Sequence, residues 1–444
     1  MRIVFTDDVC RRHNKQDDRM PEVTPNATAP SNKPGYVLVL LTLLSAVAFM
    51  DRQILAVLIE PVKREFDLTD LQIGLITGLG FSLTFALTGI PLGRVADHGV
   101  RRNVLAWSRG LGGLLGAAGA MAGGFWTLLF SRAGGAISEA GGGPASISML
   151  SDLFPAAHRS RVISVLGAGA SLGALLSLWV GGWLVQHHGW RATIATVGLS
   201  ALALSLLLRW TVHEPMRAHV SSAAPPVQPR GALRDLWQSR ATRWLIVGAA
   251  FALMAGYGFG AWNNTLLIRH HHLSLQHAGW ISGAAALASI FGAIGSGMMT
   301  DRLVRRDARW QLGVPLLGLM GALPCGMAYL MLPSGAVVAA TALMVVYAFL
   351  IVWWAAPVYA AMSFLVPAQQ RATAHAVMML VGSIVGNGLG PILTGWLSDV
   401  LNQPFPGQGL RYALMLMVMM LLPAMYAFTQ VRRLYRRAHA AHKL

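Results

Sequence analysis

Four charged residues fall inside long apolar stretches of this chain, Asp51 and Arg52 in one stretch and Arg132 and Glu139 in another. A charged side chain in an apolar layer is costly unless it is paired or faces water, so such residues default to a functional role. The guanidinium of arginine presents a planar fork that matches carboxylates and phosphates. A buried carboxyl group can gain or lose a proton when its neighbours change. The four residues therefore predict chemistry based on an anion and a proton.

Helix geometry predicts that the four charges lie close together. Arg132 and Glu139 are seven residues apart, which places both on one face of a helix. With a rise of 1.5 Å per residue, Asp51 lies about 22 Å from one surface and Arg132 about 9 Å from the other. In a hydrocarbon layer of ~30 Å the two are nearly level. Asp51, next to Arg52, is the preferred proton-coupling residue, and Glu139 is expected to assist it or to orient Arg132.

A structural role is the alternative for this cluster. The four charges sum to zero, and a neutral set of ion pairs would also serve simply to hold two helices together. A fifth charge, Arg109, lies about two turns into a third apolar stretch, where a long side chain can reach back to the aqueous surface. The sequence predicts a structural role for Arg109.

The composition requires a membrane to position these residues. The chain has 444 residues, of which 55% are hydrophobic and 12% charged, with a mean hydropathy of +0.52. Twelve stretches are long enough to cross a bilayer as helices. We predict an all-α polytopic membrane protein with twelve transmembrane helices in two six-helix bundles, residues 36–212 and 243–430. Residues 1–35 and 431–444 are predicted as a disordered and a basic cytoplasmic tail, and 213–242 as a cytoplasmic linker.

The distribution of basic residues predicts the orientation. Of the 35 lysines and arginines, three lie within the predicted spans and five in loops on one side, and the remaining 27 fall on the side of both termini. Since cytoplasmic loops carry the excess of basic residues, both termini are predicted to be cytoplasmic. The formal charge of +17 is then a sign of topology, and since the basic residues do not gather on one exposed face, no nucleic-acid partner is expected. We expect a monomer in the lipid bilayer.

Enzyme chemistry has little support in this sequence. It contains no H-E-x-x-H or G-x-S-x-G motif and no paired catalytic carboxylates. The two cysteines, Cys10 and Cys325, have no metal-ligand spacing, so neither a metal nor a cofactor is expected.

The two halves of the sequence repeat each other in the same orientation. A Gly-x-x-x-Asp segment followed by two arginines occurs twice, displaced by 204 positions, and its charged members are Asp97, Arg101, Arg102, Asp301, Arg305 and Arg306. Parallel repeats are typical of transporters whose site lies near the bilayer midplane between the halves. These charges are predicted to bridge helix ends and to gate the conformational change. Simple positive-inside anchoring is the alternative for the arginines.

Three segments resemble a known family. The segment 93–102 resembles the loop signature of the major facilitator superfamily, with Val100 at the place of a usual glycine. Residues 50–55, MDRQIL, and 132–144, RAGGAISEAGGGP, resemble the Spinster-like branch. The resemblance implies the major facilitator fold and a proton- or gradient-coupled carrier of lysolipid-like or other amphiphilic anions, working by alternating access. The location expected for it is the bacterial cytoplasmic membrane. Symport of small organic anions, or efflux of drug-like amphiphiles, is the alternative.

The second half of the sequence is predicted to line the substrate cavity with a different kind of residue. Its spans equivalent to those of the charged cluster carry no deep carboxylate, and offer aromatic and amide side chains instead. Those assigned to substrate binding, together with Arg52 and Arg132, are Tyr257, Asn263, Asn264, Trp353 and Trp354. Packing and interfacial belts are the alternative for the aromatic residues.

Overall fold

The fold is all-helical over the part of the chain that the computed structural model describes, residues 33–155, 158–215, 236–367 and 370–441. Residues 1–32 of the predicted N-terminal tail and 216–235 of the predicted linker lie outside the described residues. Six spanning helices form the first half: α1 (Pro34–Phe66), α2 (70–98), α3 (101–121), α4 (Phe125–Leu153), α5 (159–188) and α6 (190–211). Six more form the second half: α7 (Arg240–His271), α8 (Leu275–Val304), α9 (Trp310–Met331), α10 (Val337–Leu365), α11 (371–402) and α12 (409–441).

Several of these helices contain a point or segment at which the backbone departs from regular α-helical geometry. α1 consists of Pro34–Gln53 and Leu55–Phe66, which meet at Ile54, two residues after the charged pair. α2 and α11 contain the π-helical segments Leu75–Leu79 and Gly382–Leu389. α5 and α6 join at Gly189, whose φ of 79° is a conformation that side chains other than glycine rarely adopt.

The charged residues also explain which helices look least like membrane spans. Among the described residues, nine helical stretches are apolar enough to cross a membrane by length and composition, with α5 and α6 counted as one stretch. The other two spanning helices are α3 and α4, which contain Arg109, Arg132 and Glu139. The prediction of twelve transmembrane helices in two related bundles is confirmed.

The two halves meet through equivalent helix pairs, α2 with α11 and α5 with α8. A Cβ atom at Gly78 would lie 2.3 Å from the carbonyl oxygen of Gly388, so the backbones of α2 and α11 touch. A Cβ atom at Gly279 of α8 would lie 2.4 Å from the carbonyl oxygen of Leu178 in α5. Only glycine permits such close approach of two helices.

Side chains of one half also cap helices of the other half. The carboxylate of Asp399 accepts hydrogen bonds from the backbone N–H groups of Asp70 (3.0 Å) and Leu71 (2.8 Å) at the start of α2. Gln186 accepts one from the N–H of Gln276 (3.0 Å) at the start of α8. The first N–H groups of a helix have no partner within it, so each cap satisfies a donor and ties the halves together.

A network of charges lies beside these caps, at the face opposite the chain termini, which we call the closed side. The guanidinium of Arg269 in α7 binds Glu60 at 2.6 Å and Asp70 at 2.7 and 2.9 Å. Asp70 also binds Lys63 and accepts a hydrogen bond from Ser398 at 2.6 Å. Because Glu60 and Asp70 belong to the first half and Arg269 and Ser398 to the second, the network holds the halves together.

The side of the membrane on which the termini lie stays a prediction that labelling can check. After the native cysteines Cys10 and Cys325 are replaced, a single cysteine at Ser221 in the linker should resist a membrane-impermeant maleimide in intact cells. A cysteine at the exposed Gln403, in the loop between α11 and α12 on the closed side, should react and serves as the matched control. Ready labelling at Ser221 with protection at Gln403 would invert the predicted topology.

Candidate functional site

Asp51 occupies a niche made by two glycines where α1 crosses α3 and α4. A Cβ atom at Gly135 of α4 would lie 3.0 Å from one carboxylate oxygen of Asp51, and one at Gly116 of α3 would lie 3.2 Å from the other. The residue is buried. The glycines of these helices therefore leave the space that a carboxylate needs within the bundle.

Arg132 fills the same crossing from the side of α4. Its Nη1 donates to Oδ1 of Asp51 at 3.0 Å, and its Nη2 donates to the backbone carbonyl oxygen of Asp51 at 2.5 Å. The side chain of Arg132 is only 2% exposed. Sequence reasoning placed Asp51 and Arg132 level in the membrane, and the structure brings them into direct contact.

Arg52 points to the other side of α1 and meets a different set of groups. Its Nη1 lies 3.2 Å from Oε2 of Glu139, and its Nη2 lies 3.5 Å from the hydroxyl of Tyr257 in α7. The guanidinium carbon also lies 4.8 Å from the ring centroid of Phe81 and 5.3 Å from that of Phe49, within cation–π range. Glu139 is thus the partner of Arg52, and the expectation that it orients Arg132 is wrong.

Arg109 is a third arginine of this site. It is 4% exposed, and its Nη1 makes one long hydrogen bond, 3.4 Å, to the hydroxyl of Ser138 on α4. A Cβ atom at Gly142 would lie 2.2 Å from Nε of Arg109, so the guanidinium lies directly on the backbone of α4. The expectation that Arg109 extends to the aqueous surface is therefore wrong, because α4 offers it a glycine-lined place inside the bundle.

Two cavities meet at Arg52 and Tyr257. One, of about 410 Å³, lies between the halves and is bordered also by Trp354 and Asn387. The other, of about 500 Å³, extends toward the side of the termini, past Gly89 near the end of α2 and Thr373 near the start of α11. Most of the residues lining both are apolar, so Arg52 is a charge at the junction of two largely apolar spaces.

The residues predicted in the second half fall into three places. Tyr257 and Trp354 border the cavities at Arg52. Asn263 and Asn264 border an adjoining space of about 220 Å³ between α1, α7, α8 and α10, which shares Gln53 and Gly256 with the cavity at Arg52. Trp353 borders none of these cavities, because its side chain packs on Gly318 of α9.

Comparison with known proteins places this architecture in a family. The model of the Major Facilitator Superfamily matches residues 41–391 of this chain. The chain belongs to the major facilitator superfamily. Proteins of this family are transporters, and the prediction that the chain is no enzyme is confirmed.

Individual relatives define the branch. An MFS-type efflux pump of Mycolicibacterium smegmatis is 32% identical over 387 residues, 85% of this chain and 87% of that protein. Protein spinster homolog 1 of Bos taurus is 26% identical over 414 residues, 87% of this chain and 78% of that protein. A bacterial homologue of the human lysosomal transporter Spinster, solved in an inward-facing, unoccupied conformation, superposes with a TM-score of 0.83 at 25% identity, over 93% of this chain and 99% of that one. The resemblance to the Spinster-like branch is confirmed.

The predicted gating arginines of this transporter make contacts within the first half. Arg101 at the start of α3 binds Asp152 near the end of α4, and its Nε lies 2.8 Å from Glu214, which follows α6. The N–H of Arg102 donates to Glu214 at 2.8 Å. These bonds tie three helix ends of one bundle together, and a role in gating stays a prediction.

The other residues predicted to act in gating are Asp97 in the first half and Asp301, Arg305 and Arg306 in the second. The side chain of Asp97 lies outside the described part of the chain. Asp301, Arg305 and Arg306 are exposed. Arg305, which corresponds to Arg101 in the sequence repeat, is thus exposed, whereas Arg101 is buried.

Sequence reasoning missed two features of this transporter. The closed-side network joins α1 and α2 to Arg269, about 200 positions further along the chain. No local sequence pattern predicts ion pairs between residues so far apart. Arg109 carried a signal that could have been read. Ser138 and Gly142, four residues apart, share one face of α4, and small residues there permit a large side chain of a neighbouring helix to enter.

Proposed function

We propose that this transporter moves an anionic amphiphile across the bacterial cytoplasmic membrane by alternating access, coupled to protons. Arg52 is the ligand for the anionic head group, and the cavities on either side of it hold the apolar body. The coupling carboxylate is Glu139, with Asp51 as the alternative. A lysolipid-like anion has both chemical parts.

The observation that carries this proposal is the position of Arg52. Its side chain is 16% exposed at the junction of two cavities, whereas that of Arg132 is 2% exposed. Arg132 already meets both the carboxylate and the carbonyl of Asp51. An incoming carboxylate or phosphate can reach Arg52 from the cavities, where it replaces the partly exposed Glu139 and leaves the pair of Arg132 with Asp51 intact. We therefore assign head-group binding to Arg52 and give Arg132 the task of holding α1 on α4.

The same pairing supports a direct link between substrate and proton. Arg52 is the hydrogen-bonded partner of Glu139. When a substrate anion takes Arg52, Glu139 loses that partner, and a carboxylate that loses a positive neighbour binds a proton more readily. Asp51 keeps Arg132 throughout. This geometry favours Glu139 over Asp51 as the residue that responds to occupancy.

The alternating-access part of the proposal is supported by where the halves touch. The closed-side network and the glycine contacts of α2 with α11 join the bundles at one face, while the larger cavity extends toward the other. With the termini in the cytoplasm, this is an inward-facing conformation. Transport requires the closed-side ion pairs to separate in the opposite state.

Binding of matched ligands tests the assignment of Arg52. Arg52→Gln should weaken binding of a single-chain alkyl phosphate by about 10- to 100-fold, because a hydrogen-bonded charge contributes about 1.5–3 kcal/mol. The affinity of Arg52→Lys should lie between those of the wild type and Arg52→Gln, since lysine keeps the positive charge but lacks the planar, forked guanidinium. Tryptophan fluorescence titration of the purified protein measures both.

A neutral alkyl glycerol of the same chain length is the control ligand. Its affinity should not change in either variant, because it leaves Arg52 unused. Equal affinities of wild type and Arg52→Gln for the phosphate would remove Arg52 from the head-group site.

Efflux of a drug-like amphiphile is the second candidate, and the name of the Mycolicibacterium smegmatis relative favours it. Both candidates use the same cavities and differ in the substrate that is moved. Proteoliposomes with an imposed proton gradient, loaded with alkyl phosphate or with a cationic dye, separate them. Extrusion of the dye without movement of the phosphate would support the efflux candidate.

A further inference from the structure

The guanidinium of Arg109 lacks an acidic partner among the side chains that the structure describes. Among the residues whose side chains the structure describes, no carboxylate oxygen lies within 4.0 Å of its nitrogens, and its Nε is buried without a hydrogen-bond acceptor. The single bond to Ser138 is long, 3.4 Å. An uncompensated buried charge costs several kcal/mol. We therefore expect the Arg109 guanidinium to meet an anionic partner at another stage of the transport cycle.

Glu139 has a matching deficiency on the facing helix. Its Oε2 meets Arg52, but its Oε1 is buried without a hydrogen-bond donor. Ser138 and Gly142, which contact Arg109, are one residue before and three residues after Glu139 on α4. The unpartnered atoms of Arg109 and Glu139 therefore lie at the same turn of α4.

The charges of the site do not cancel once Arg109 is included. The groups that face one another across α1, α3 and α4 are two carboxylates and three guanidinium groups, Asp51, Glu139, Arg52, Arg109 and Arg132. The neighbouring groups Tyr257 and Ser138 are neutral. With all five groups ionised, their charges sum to one net positive charge before a substrate binds.

We propose that Arg109 sets the charge that the site accepts: substrate and co-bound protons together bring one net negative charge, and Glu139 passes from Arg52 to Arg109 when a monoanion occupies Arg52. This proposal rests on the proposed function and specifies its proton count. A monoanion neutralises the site without a proton. A dianion neutralises it together with one proton, which Glu139 takes up. Arg109 acts through Glu139 and is a positioning residue.

Calorimetric titration in two buffers of different ionisation enthalpy tests the proposal, because the difference in heat gives the number of protons taken up per ligand. The probes are monododecyl phosphate at pH 8, which is close to a dianion, and its methyl diester, a monoanion with the same chain. The wild type should take up about one proton with the monoester and about none with the diester. Arg109→Gln should take up about one proton more with each ligand.

Two variants separate charge from structure. Arg109→Lys keeps the charge and should give the wild-type proton counts, and Ser138→Ala, which removes only the 3.4 Å hydrogen bond, should do the same. If Arg109→Gln does not fold, Arg109→Met supplies the same test, since it removes the unpaired charge and keeps an apolar stem.

The possible failures are distinct. If Arg109→Gln or Arg109→Met binds both phosphates and takes up as many protons as the wild type, Arg109 does not set the charge that the site accepts. The transport proposal would then stand unchanged. A wild type that binds neither phosphate would overturn the proposed function, and this proposal with it.

Discussion

Replacing Arg132 with alanine is expected to lower the stability of the folded transporter by about 3–5 kcal/mol, as is usual when one partner of a buried ion pair is removed. The substitution leaves the carboxylate of Asp51 uncompensated in its glycine niche, and it removes the donor to the Asp51 carbonyl oxygen. It also leaves a cavity the size of an arginine side chain. Thermal unfolding in detergent micelles, followed by tryptophan fluorescence, measures the loss.

A double variant identifies the cause. Arg132→Met with Asp51→Leu removes both charges and keeps much of the volume, and replacing a buried pair in this way is often neutral or stabilising. The double variant should therefore unfold close to the wild-type temperature while transport is lost. A double variant as unstable as Arg132→Ala would show that packing at the crossing of α1 and α4, and not charge, determines the stability.

Much of the fold follows from the sequence because bilayer thickness and positive-inside bias act on local composition. Long apolar stretches mark helices regardless of what they contact, and the displaced Asp-Arg-Arg segments mark the repeat. The interruptions are harder to predict. The π-helical segment Leu75–Leu79 lies against α11, and the break at Ile54 follows Asp51, whose carbonyl oxygen accepts a hydrogen bond from Arg132 of α4. These contacts come from distant parts of the chain.

The site shows the same division. Helical periodicity placed Arg132 and Glu139 on one face, and depth placed Asp51 beside Arg132, since both follow from the rise of a helix. Which carboxylate pairs with which arginine depends on the rotation of α1 about its axis, and adjacent residues Asp51 and Arg52 point about 100° apart. That rotation is fixed by packing against Gly116 and Gly135, which the sequence of α1 does not contain.

Glu139→Gln is expected to separate substrate binding from the proton gradient. The glutamine cannot take up the coupling proton, so gradient-driven accumulation of monododecyl phosphate in proteoliposomes should be lost. Binding should become tighter, because Arg52 no longer has a carboxylate competing with the substrate for its fork. Exchange of labelled for unlabelled substrate without a gradient should continue, since it needs no net proton movement.

Asp51→Asn is the comparison that decides between the two carboxylates. Its amide oxygen can still accept a hydrogen bond from Arg132, so the crossing of α1 and α4 persists with a buried charge less well compensated. If Glu139 is the coupling residue, Asp51→Asn lowers stability and keeps residual gradient-driven accumulation. If instead Asp51→Asn abolishes accumulation with exchange intact, and Glu139→Gln accumulates substrate as the wild type does, the proton is carried by Asp51. In that case the pairing of Arg52 with Glu139 serves only to hold α1 against α4.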